Sequence, residues 1–256
     1  MNDAKRRILE EVSQGLLTPQ EAAGLLQEID AGGQPAPTAL AVATAAGAVA
    51  EVSIRCPAGK LTVVGDPTVK EAVAVGPHTM RRDGDVLAIA LDDPNGAGFA
   101  IVAGPGFRFG SVNRQLEVRM NPSLRLRFEG QAASVAIRGV TGPITGSVQA
   151  GATRIEGFEG PLQLAAQAGS IAASGRLTGG SSRITCEAGA VRLGLKKGSS
   201  VRIKATSTLG KVKLLGDGGR SEGWGIGSTQ EAVVGGGEGS LEIVTSMGAV
   251  AVEEEV

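Results

Sequence analysis

Side chains able to do chemistry are few in this 256-residue chain. The single His, His78, follows the turn pair Gly76-Pro77, and no Ser or Asp stands at a spacing that would build a hydrolytic triad around it. Two Cys, Cys56 and Cys186, cannot make a four-thiolate zinc site within one chain, and they read as reduced, buried thiols whose mutual distance the spacing leaves open. Asp92-Asp93-Pro94-Asn95-Gly96 offers oxygen ligands but lacks the alternate spacing and closing Glu of a calcium loop, so it reads as an Asx-rich turn. Gly216-Asp217-Gly218-Gly219 and the Gly-rich stretch 235–239 lack the Lys-Ser/Thr of a phosphate loop and open no helix. We therefore expect no catalytic residue, no cofactor and no metal.

One charged feature rises above this background. Between Ala188 and Gly216 stand seven basic residues and no acid: Arg192, Lys196, Lys197, Arg202, Lys204, Lys211 and Lys213. Unpaired, such a cluster repels itself. It is either compensated by acids from elsewhere or used to hold an anionic partner, whether lipid, polymer or acidic protein. A second cluster comprises Arg108, Arg114, Arg119, Arg125 and Arg127, and the acidic run Glu253-Glu254-Glu255 is available as a counter-charge. The whole chain has a net charge of -1, so it has no bulk pull on nucleic acid. Five Phe, one Trp and no Tyr disfavour aromatic platforms for single-stranded nucleic acid and aromatic-lined pockets.

The elements that carry these residues begin with a helix-period pattern. Ile8, Leu9, Val12 and Leu16 mark one apolar stripe, and Gly15 is a helix stop. Thr18-Pro19-Gln20-Glu21 restarts with a cap, a first-turn Pro and a Glu three residues on, followed by the stripe Ala22, Leu25, Leu26 and Ile29. A 30-residue hairpin buries too little surface to stand alone. Residues 1–30 are thus expected to dock or to form a homo-oligomer through Ile8, Leu9, Val12, Leu16, Leu25, Leu26 and Ile29. Residues 31–47 read as a Gly/Pro/Ala linker. The charge-free run from Ala31 to Ala50 is too poor in large apolar residues to span a membrane, and the first residues show no secretory pattern. A cytoplasmic protein is expected, or one recruited to the inner face of the membrane by others.

Residues 48–256 change to short alternating β runs. With 40 Gly and 11 Pro, about a fifth of the chain, only periodic patterning argues for a fold rather than low complexity. That patterning is present. A small pair precedes Val135-Ala136-Ile137, Thr153-Arg154-Ile155, Ile171-Ala172-Ala173, Val191-Arg192-Leu193 and Val212-Lys213-Leu214, at steps of 18, 18, 20 and 21 residues. A period near twenty signifies a solenoid. We expect a mainly β chain, a single-stranded parallel β-helix, most regular over 130–216. Second strands begin at Ile144, Leu162, Ser182 and Val201. Val148, Ala166 and Cys186 are expected in one inward column, Gly146, Leu164 and Ile184 in another, and Gln149, Gln167 and Glu187 outside. Arg192 and Lys213 should lie outward in successive coils, one strand spacing apart. A polysaccharide-processing enzyme would need paired carboxylates on one face, and Glu156, Glu159 and Glu187 do not stack in a row.

The segments ILEEVSQGLLTPQEAAGLLQEID, QAGATRIEGFEGPLQLAAQAGS and CEAGAVRLGLKKGSSVRIKA together resemble the toastrack family of adhesin-like domains preceded by a SHOCT-like helical hairpin. The resemblance implies a right-handed β-helix. It also implies a role in bacterial envelope-stress signalling of the phage-shock or Lia type, with protein partners, some membrane-associated, and no enzymatic activity. The chain departs from the pattern between residues 52 and 128, where the coils are irregular and Ala97–Gly110 resembles an insertion. The competing expectation is a filament protein built by end-to-end stacking of open coils.

Overall fold

A computed structural model describes residues 48–91, 114–215 and 227–255, all within the unit Gly47–Val256. The expected hairpin (residues 1–30, with Ile8, Leu9, Val12, Leu16, Leu25, Leu26 and Ile29) and the linker 31–47 lie outside the described residues. So do Asp92–Gly96, the presumptive insertion at 97–110 and the glycines at 216–219.

The described chain is mainly β. In chain order the strands are β1 (Glu51–Gly65), β2 (Ala72–Val75), β3 (His78–Asp83), β4 (Val86–Leu91), β5 (Gln115–Met120) and β6 (Arg125–Arg138). These are followed by β7 (Ile144–Phe158), β8 (Leu162–Gly175), β9 (Ser181–Lys196), β10 (Val201–Leu209), β11 (Val212–Leu214), β12 (Ser228–Val234) and β13 (Gly239–Glu255). All belong to one sheet, parallel through its middle.

Each long strand is two arms joined at a corner. In β7 the first arm buries Ile144, Gly146 and Val148, and the second buries Thr153, Ile155 and Phe158. The inward phase thus slips by one residue between the arms. The slip occurs at Gly151, whose φ of 138° is closed to ordinary side chains. Its equivalents are Gly169 at 144° and Gly189 at 145°, and these glycines are register partners. A Cβ on Gly169 would also run into the carbonyl oxygen of Gly151, and one on Gly189 into that of Gly169. These corners use Gly both for the dihedral and for the stacking of one corner on the next, whereas β6 turns at Ala133, in register with Gly59 and Gly151, without a positive φ.

Inside, like residues stack. Val135, Thr153, Ile171, Val191, Val250 and Val212 are successive neighbours across the sheet, and all are buried. Burying each aliphatic member contributes about 1.5–3 kcal/mol. Large residues enter only where the adjacent strand leaves room: a Cβ on Gly146 would collide with the Phe128 ring, and one on Gly175 with the Phe158 ring. Such pairing keeps the core narrow and explains why aromatics are scarce.

The expected columns Val148–Ala166–Cys186 and Gly146–Leu164–Ile184 are present and buried, and Gln149, Gln167 and Glu187 are exposed. From β6 to β9 spatial order follows chain order, but at both ends the order is interleaved. β1 lies between β6 and the β4–β5 pair, and β13 lies between β9 and the β10–β11 pair. The residue-191 and residue-212 coils are therefore not successive. The second strand beginning at Val201 is also displaced: Ile203, and not Val201, shares a column with Leu241 and Ser182. β4 and β5 match the two arms of β1. Strands β2, β3 and β12 run antiparallel to β5, β4 and β10, so reversed strands close both arms at one end of the stack and the first arm at the other, where β11 pairs only with β13 among the described residues.

Candidate interaction surface

Outward side chains form columns as regular as the inward ones. On the second arm, the column two residues past the corner's small pair reads Thr62, Ala136, Arg154, Ala172, Arg192, Ala251 and Lys213. From Ala136 onward, alanine and cation alternate. Ala251 separates Arg192 from Lys213, so the expectation of adjacent like charges is corrected: they stand two strand spacings apart, roughly 9.6 Å. The cause is the insertion of β13. Neither Arg192 nor Lys213 makes an ion pair among the described residues, whereas Arg154 Nη1 lies 4.0 Å from Glu156 Oε1.

Two residues further along the strands runs a second outward column, Arg138, Glu156, Ser174, Gly194 and Glu253. Arg138 Nε donates to Glu156 Oε2 at 3.2 Å. Ser174 Oγ donates to Glu255 Oε2 at 2.6 Å, which lays that carboxylate over the small residues of the column. Arg154, Glu156, Arg192, Glu253 and Glu255 thus border one open trough floored by Ala172, Ser174 and Gly194.

The other basic candidates do not join this column. Arg202 and Lys204 sit on the arm before the corner. There Arg183, Glu242, Lys204 and Glu231 alternate in charge across β9, β13, β10 and β12. Arg183 Nη2 donates to Glu242 Oε2 at 2.6 Å, and Lys204 Nζ lies 3.1 Å from Glu231 Oε1. Arg202 faces Ser240 and Val233 in register. Lys196 closes β9 opposite Glu255, Lys197 is in the following turn, and Lys211 adjoins the corner at Gly210. In the earlier cluster, Arg119, Arg125 and Arg127 pair with Glu117, Glu51 and Glu129 at 3.4, 3.5 and 3.6 Å. Sequence reasoning named Arg154 and Glu156 without assigning them to a charged surface, and it missed Arg183 and Glu242. The pattern that could have found them is the alternation in the coil repeat, extended to β13.

Both thiols point inward. Cys56, Gly130, Val148, Ala166 and Cys186 are consecutive members of one column, which separates the sulfurs by four strand spacings, about 19 Å. That is far beyond disulfide reach. Burial pushes both thiols up from their ordinary pKa; at Cys186 a hydrogen bond with the Ala188 backbone opposes this and Glu187 adds to it. Neither is an activated nucleophile. The same column continues through Thr245 and Ser207, both fully buried. Ser207 Oγ donates to the Gly248 carbonyl at 3.3 Å, while Thr245 Oγ1 meets no partner among the described residues. His78 opens β3, its Nδ1 bonded to the Gly76 carbonyl at 2.8 Å. Glu159 is in a turn, 3.8 Å from Arg176, and Glu187 lies on the opposite arm from Glu156.

No helix among the described residues is long and apolar enough to cross a membrane. No family model matches the chain, and no curated protein does. Among solved structures it is similar to "a putative cell adhesion protein" from Clostridium sporogenes, at 14% identity and a TM-score of 0.45, over 82% of this chain and 94% of that one.

Proposed function

We propose that this chain is a non-enzymatic interaction protein that presents a rigid stacked sheet to protein partners. The observation that carries the reading is the division of its side chains. The two thiols are sealed in the core, and the outward columns hold charges at fixed intervals on a floor of Ala, Ser and Gly. Such a frame spares the backbone part of the ordering cost on binding, because the backbone is held by neighbours on both sides.

The finer reading follows the resemblance in the sequence. The sheet is a right-handed β-helix of the toastrack type, and residues 1–30 are a SHOCT-like hairpin that oligomerises or docks. The setting is envelope-stress signalling on the cytoplasmic side of the membrane. Deleting residues 1–30 should lower the oligomer mass in light scattering and leave the β circular-dichroism signal intact; an unchanged mass would remove the hairpin's role. Pull-downs from native extract with wild type and with Arg192→Glu/Lys213→Glu should recover different partners. Identical recovered sets would show that this face docks nothing foreign. The filament alternative meets reversed strands on both arms at one end of the sheet and on the first arm at the other, which interrupt parallel growth there.

A further inference from the structure

We infer that the outer face of the second arm is a self-complementary surface on which a second copy of this chain docks face to face about a two-fold axis. The face carries two parallel rails. One is basic, with Arg154, Arg192 and Lys213 on alternate strands. The other, two residues along and roughly 6.6 Å away, begins at Arg138, which pairs with Glu156, and is then acidic at Glu156 and Glu253 and reinforced by Glu255. A polyanion following the basic rail would be repelled by the acidic one beside it. A copy turned by a two-fold axis instead lays its acidic rail over the first copy's basic rail, and the reverse, which is the self-match an isologous interface requires.

Shape agrees with charge. Ala136, Ala172 and Ala251 stand between the cations, and Ser174 and Gly194 stand between the acids. With the axis along the stack, Arg154 of one copy meets Glu156 of the other, Arg192 meets Gly194, and Glu253 meets Ala251. The five long strands β6, β7, β8, β9 and β13 span about 24 Å, and their second arms span about 23 Å. That gives roughly 550 Å² per copy and about 1,100 Å² in total, just above the roughly 1,000 Å² a specific interface needs. The first arm, by contrast, is closed at both ends of the sheet by an antiparallel strand. The surface names the partner of the face treated above as a docking surface and is independent of residues 1–30.

The test uses two full-length variants: one with Arg154→Glu, Arg192→Glu and Lys213→Glu, the other with Glu156→Lys, Glu253→Lys and Glu255→Lys. All six sites are on the outside of the sheet, and circular dichroism checks that each variant folds. Sedimentation velocity at about 50 mM salt should show each variant at half the wild-type mass, and an equimolar mixture should restore it. In about 1 M salt, where screening acts within about 3 Å, the wild type should fall to the variants' mass. Variants that sediment as wild type at low salt, or a mixture that stays at half mass, would overturn the inference. A hairpin oligomer survives all of these changes, and a foreign partner would alter the pull-down without moving the mass, so the two readings fail separately.

Discussion

Phe128 and Gly146 offer a direct measure of whether β6 stacks on β7 in the register described. Phe128 is 1% exposed, and a Cβ at Gly146 would fall inside its ring. Gly146 is outside the positive-φ region, so Gly146→Ala tests packing and leaves the backbone conformation alone. Overpacking of this kind costs about 1–3 kcal/mol. Phe128→Leu removes part of the ring and leaves a partial cavity, at about 1–2 kcal/mol. If the two side chains meet, the added methyl occupies the space the ring vacates, and the double variant should lose only about 1–2 kcal/mol in all. The coupling would then be at least about 1 kcal/mol, against the few tenths found for sites that do not touch. Urea unfolding followed by far-ultraviolet circular dichroism supplies the four midpoints, and an unchanged slope keeps the comparison valid. A double variant destabilised by the full sum of the singles would refute the stacking, and with it the column assignments on which the outer rails depend.

Two further outcomes follow from the core. Thr245→Val should raise stability by about 1 kcal/mol, because it replaces a fully buried hydroxyl that has no partner among the described residues with a methyl of similar size; a lower urea midpoint would show that the hydroxyl is satisfied. The raised pKa of Cys56 and Cys186 gives stability a pH slope. Folding favours the protonated thiol, so the contribution is complete below the unfolded value, about 8.5, and is lost as pH rises from there toward the folded values. Stability should fall in alkaline solution, and Cys56→Ala/Cys186→Ala should flatten that fall. An unchanged slope would place both thiols in water.

The periodic pattern alone determined the columns. The spacing of small pairs located the corners, and alternation on either side identified Val148, Ala166 and Cys186 as inward. Both follow from local chemistry: Gly is favoured where the corner takes a positive φ, with Ala133 serving at the β6 corner, and a strand's side chains must alternate. What the sequence did not reveal was which strand lies beside which. Every long strand offers the same ladder of backbone donors and acceptors and a similar aliphatic column, so β10 fits β9 as well as β13 does on local grounds.

The order the tertiary structure adopts is the one that charge favours. With corner glycines aligned, β10 and β11 set directly on β9 would place Lys204 against Arg183 and Lys213 against Arg192. Inserting β13 puts Glu242 between the first pair and Ala251 between the second. Opposite charges attract across a strand pair and like charges repel, so one insertion relieves both clashes and turns the first into a salt-bridged ladder. That choice depends on residues some thirty to sixty positions apart and on a strand that arrives last, which is why it lies beyond any reading of the repeat by itself.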